Sequence, residues 1–99
     1  MNERPSERPN FWLRAPARSV PLDRIDFADR RFRIGGGDPD PALVESIARA
    51  GMLEPALVWE RRPGQPLAIV LGWRRLLACR DIGAAAAPCR IAPPEAGAL

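Results

Sequence analysis

Apolar residues come along this chain in short bursts, cut apart by proline, glycine and arginine, and the spacing within each burst predicts its form. Between Ser19 and Ile25 the markers Val20, Leu22 and Ile25 suggest a strand, and Pro21 confines it to an edge or a strand start. Phe27 to Gly37 has no period and carries Arg30, Arg31 and Arg33 before three glycines, so it reads as an irregular basic loop. Leu43, Val44, Ile47 and Ala48 then make one stripe at helical spacing. Asp40 supplies an N-cap acceptor, Pro41 suits the first helical position and Gly51 the stop. Leu57-Val58-Trp59 and Leu67 to Leu71 read as strands, and Arg61 to Gln65 between them as the turn of a hairpin. A second helical pattern (Leu76, Leu77, Cys79, Ile82) runs from about Trp73 to Ile82 and closes at Gly83, and Ala87 to Ile91 offers a last strand. The predicted order is β-α-β-β-α-β: a small mixed α/β (α+β) domain with a mixed sheet over residues 19–92, without internal repeats.

The flanks differ. Residues 1–18 hold four arginines, two glutamates and three prolines around a single apolar island, Phe11-Trp12-Leu13. Such a segment cannot bury enough surface to offset its ordering entropy, which predicts a flexible arm. Pro93 to Leu99 has no pattern and is expected to be a disordered tail.

Composition narrows the chemistry. In 99 residues all 15 basic side chains are arginine, against 12 acidic ones, for a net charge of +3. That charge is too small to announce nucleic-acid binding, so only weak, non-specific contact is expected from it. Histidine is absent, which removes the usual neutral-pH base and the commonest metal ligand. Cys79 and Cys89 form no C-x-x-C pair, so neither zinc nor any other metal site is expected. No apolar run approaches the roughly 20 residues of a membrane span, and the N-terminus lacks the apolar stretch of a secretion signal. A cytoplasmic protein with no membrane association is the expectation.

The candidate site is the junction Ile69-Val70-Leu71-Gly72-Trp73-Arg74-Arg75. A strand that ends in glycine and starts a helix leaves backbone N–H groups unpaired at the positive end of a helix dipole. Arg74 and Arg75 add forked cationic donors shaped for phosphate. As a mere solvated surface the pair would oppose the dipole, at about 0.3–1 kcal/mol per charge. Arg30, Arg31 and Arg33 would clamp further phosphates if their loop covered this mouth. Trp73 and Trp59 are candidate stacking partners for a base. Among the acids Glu45, Glu54, Glu60 and Asp81 no spacing pairs two for acid–base work; Glu54 and Glu60 are the candidate catalytic bases.

In order, VPLDRIDFADRRFRI, LVESIARAGMLEPALVWERR and AIVLGWRRLLACRDIGAAAAPCRI resemble the N-terminal domain of the ParB/sulfiredoxin superfamily. The matching positions are Pro21 to Ile25, Arg33, Ser46-Ile47 with Gly51, Pro55 with Val58, and Gly72 with Arg74-Arg75. The resemblance covers about residues 19–91. It implies a nucleotide site, for CTP or ATP with or without Mg2+, in which Gly72, Arg74 and Arg75 hold phosphates. Arg33 would reach the same site, and Gly51 to Pro55 would help wall the pocket. It also implies a role in DNA partition or regulation, with a protein partner or as a homodimer. The sulfiredoxin branch carries a catalytic cysteine where this chain has Trp73, and no histidine follows, so that chemistry is not expected. Trp73 also departs from the glutamate usual in the nucleotide-binding branch, and Glu54 from the usual glutamine. No helix-turn-helix or dimerisation segment follows in this sequence, so neither hydrolysis nor specific DNA reading is expected of it. Two alternatives stand beside this reading: an ATP-dependent phosphotransferase using Glu54 or Glu60, and an interaction module that has lost its ligand, with Trp73 forming an apolar contact patch.

Overall fold

The computed structural model describes residues 15–32 and 39–94. They form a small mixed α/β domain with one five-stranded mixed sheet and two helices. In chain order these are β1 (Arg18–Pro21), a 3-10 turn (Leu22–Arg24), β2 (Ile25–Asp26), α1 (Pro41–Ala50), β3 (Ala56–Trp59), β4 (Leu67–Leu71), α2 (Trp73–Asp81) and β5 (Ala86–Ala92). The sheet order is β1-β5-β3-β4-β2. Three expectations fall outside the described residues: most of the N-terminal arm with Phe11 and Trp12, Arg33 with the glycines after it, and the end of the tail.

One correction concerns the first strand. Ser19 to Ile25 is two strands on opposite edges of the sheet, because the step from Leu22 to Ile25 is taken as a helical turn. β1 runs antiparallel to β5, with Val20 opposite Ala87, whereas β2 runs parallel to β4, with Ile25 opposite Leu67. The hairpin is as expected: β3 and β4 are antiparallel, joined by a turn in which the Gln65 N–H donates to Arg62 O at 3.1 Å. Pro63 and Gly64, with φ +80 at the glycine, occupy the central positions of a type II turn.

Both helices carry the signals that delimit them. Asp40 accepts from the Leu43 N–H at 2.8 Å, Pro41 opens α1, and the Gly51 N–H closes it onto Ile47 O. At the end of α2 the Ala84 N–H reaches Cys79 O and the Gly83 N–H reaches Arg80 O, the paired bonds of a Schellman stop. α1 packs against α2, and Ile47 joins Leu76, Leu77, Val58, Leu67, Ile69 and Cys89 in one apolar core. Among the described residues no polar or charged side chain is buried. Both cysteine thiols are core atoms with raised pKa values. Burial, reinforced by Cys79, pushes Cys89 up to about 11, and burial alone raises Cys79. Neither therefore has thiolate character near neutral pH. Among the described residues no helix is long and apolar enough to cross a membrane.

Candidate functional site

Gly72 is placed by the end of β4. The register of the hairpin shifts between Leu57 and Val58, which face Leu71 and Ile69, leaving Val70 as the extra residue. Such a bulge bends a strand, and here it turns β4 into the left-handed Gly72, φ +96, that caps α2. A side chain at Gly72 would meet Ala56 Cβ at 2.8 Å and Ala56 Cα at 3.1 Å. The glycine is thus required by backbone conformation and by close packing on β3 together. The space that a Cβ would fill at this position is taken by Ala56.

At the head of α2 the Leu76 N–H makes the first helical bond, to Gly72 O at 3.0 Å. No side chain caps the helix and its first turn holds no acidic residue. The preceding N–H groups therefore have no acceptor within the helix. Trp73, the first helical residue, is buried at 8 % exposure and belongs to the core cluster. Its ring neither forms an exposed apolar patch nor lies open at the surface, so the contact patch expected of it is not present. Arg74 is exposed and has no carboxylate partner among the described residues. Arg75 is paired with Glu54, Nη2 to Oε2 at 2.9 Å. That contact brings the α1–β3 connection, Gly51 to Pro55, against the head of α2 as the pocket-wall expectation required. It also sets a carboxylate on one of the two arginines.

The other candidates gather elsewhere. Trp59 faces Ala68 while Leu57 faces Leu71, so Trp59 and Gly72 stand at opposite ends of the β3–β4 pair, about 10 Å of strand apart. Arg31 lies 5.8 Å from the Trp59 ring centroid and bonds Asp29 Oδ1 through Nε at 3.1 Å. The described part of the basic loop is thereby held at the hairpin end and does not close over Gly72, because Asp29 ties it there. Glu60 is also at that end, 3.4 Å from Arg24 Nη2, which leaves Glu54 as the candidate base beside the glycine box. Sequence reasoning missed both clusters: Glu54 and Arg75, like Asp29 and Arg61 (Nη2 to Oδ2, 3.5 Å), are joined only by the folding of distant segments. Among the described residues no three His, Cys, Asp or Glu side chains converge as a metal site. No family model matches the chain, and no curated protein matches it.

Proposed function

We propose that the domain binds a phosphate-bearing ligand, a nucleotide in the first instance, at the head of α2, in the manner of a ParB-like N-terminal domain. The observation that carries this reading is Arg74: an exposed guanidinium on the first turn of an uncapped helix, with no carboxylate partner among the described residues. Positive charge at that end of a helix opposes the dipole and does not stabilise the fold; an anion there would satisfy the charge and the helix N–H groups together. Arg75 is a second donor once Glu54 gives way, since an exposed ion pair of this kind contributes only about 0.2–1 kcal/mol. A Mg2+ ion accompanying a triphosphate would draw its ligands mainly from the phosphates, with Glu54 the nearest carboxylate at hand. The domain's place would be in DNA partition or regulation, acting with a protein partner or as a homodimer.

Calorimetric titration with CTP, ATP and GTP tests the reading. One of them binds, and Arg74→Ala weakens it about tenfold or more, the loss expected for a charge-assisted hydrogen bond. Absence of binding by all three, or affinity indifferent to Arg74→Ala, would sink it. A phosphotransferase would in addition need Glu54, so turnover abolished by Glu54→Gln is the result that would favour the enzyme instead.

A further inference from the structure

Away from the head of α2, the hairpin end of the sheet carries its acids inside and its arginines outside. Asp29 accepts from the Arg31 N–H and Nε and lies 3.5 Å from Arg61 Nη2. Its side chain is 10 % exposed, while those of Arg31 and Arg61 are 44 % and 37 % exposed. Glu60, less exposed than its partner, sits under Arg24 in the same way. One carboxylate beneath two guanidinium groups fixes their direction without discharging them. Arg30 and Arg62 flank this pair, exposed and without a carboxylate partner among the described residues. Asp26 is half-buried and accepts from the Ala28 N–H, which leaves Asp23 as the exposed carboxylate of this end among the described residues. Two rings lie within the arginines: Phe32, exposed, stands edge-on to Trp59 with centroids 5.9 Å apart, under the Arg31 guanidinium.

We propose that this face binds single-stranded nucleic acid. Outward guanidinium groups meet successive phosphates, and they do so with the salt dependence of counterion release. Phe32 and the Arg31–Trp59 stack offer flat surfaces to bases, which a single strand can splay onto them and a duplex keeps stacked away. Asp29 is a positioning residue: its carboxylate stays ionised. Burial by itself would raise its pKa, but the Arg31 backbone and side-chain bonds and the charges of Arg31 and Arg61 outweigh that and hold it below the ordinary value.

Fluorescence anisotropy of the full chain with a labelled oligonucleotide of about 20 nucleotides reads the proposal, against a duplex of the same sequence. The single strand binds more tightly than the duplex, and its affinity falls steeply between about 50 and 200 mM salt. Arg30→Glu with Arg62→Glu, neither of which breaks an internal pair, weakens binding about tenfold and lowers the salt slope by roughly one. Phe32→Ala weakens the single strand while leaving heparin binding unchanged. Arg74→Ala leaves oligonucleotide affinity intact, which separates this face from the nucleotide site. The proposal is overturned if Arg4→Glu with Arg8→Glu in the N-terminal segment abolishes binding while the hairpin-end pair has no effect. Equal affinity for duplex, single strand and heparin, unmoved by Phe32→Ala, also overturns it.

Discussion

Gly72 faces two independent demands, a left-handed backbone and a missing Cβ against Ala56. Gly72→Ala therefore combines backbone strain of about 1–3 kcal/mol with overpacking of about 1–3 kcal/mol. Urea unfolding should show a loss within the range these two terms span; a loss below about 0.5 kcal/mol, the usual scatter of surface changes, would mean that β3 yields freely at Ala56. The same residue shows where sequence reading stops. Its glycine is legible as a chain-direction change, but the reason for it was read as room for a ligand, whereas the structure gives a neighbouring methyl group. Trp73 is the parallel case. At the first position of a helix, between glycine and arginine, nothing in the pattern marks it as core; its burial follows from how α2 lies on the sheet.

At the scale of elements, local signals were legible wherever the cause was local. Asp40-Pro41, Gly51, the Pro63-Gly64 turn and Gly83 act within a few residues of themselves, and the structure places a boundary at each. The two-strand fate of Ser19 to Ile25 was not legible, since β1 and β2 are told apart only by partners 67 and 42 residues away in Cys89-to-Ala86 and Leu67 order, at Ala87 and Leu67 respectively. The tie between the loop after β2 and the hairpin is of the same kind, and Asp29 supplies it. Because the folded pKa of Asp29 lies below its ordinary value, its contribution is present in full above the unfolded carboxylate pKa and is lost as pH falls through the folded one. Asp29→Asn should lower the melting temperature at neutral pH, with the gap to the parent chain narrowing in strongly acid buffer. A gap that stays constant across that range would show that the ion pairs add nothing. The variant also frees Arg31 and Arg61 to turn from their present directions.

For the molecule as a whole, β5 is the element on which the sheet depends. It lies between β1 and β3, pairing with both, and Cys89 at its middle is fully buried. A chain ending at residue 85 should therefore lose the fold outright rather than fray at one end. Circular dichroism and thermal melting would detect this, and a cooperative melt in the shortened chain would contradict it. The mixed α/β class was readable from the order of elements, but the sheet order was not, because periodicity records which face of an element is apolar and says nothing of which strand lies beside which.

The position of β5 also bears on the order in which the protein can be made. Synthesis proceeds from the N-terminus, and domains generally fold as units as they emerge. β1, among the first residues translated, must wait for the last described strand before it has a neighbour to bond. Until then the nascent chain holds an unfinished sheet, with the β3 edge and the β1 segment both open to other chains. The interval between translating Arg18 and translating Ala92 is thus the period of greatest exposure to aggregation, and a pause in translation before β5 would lengthen it.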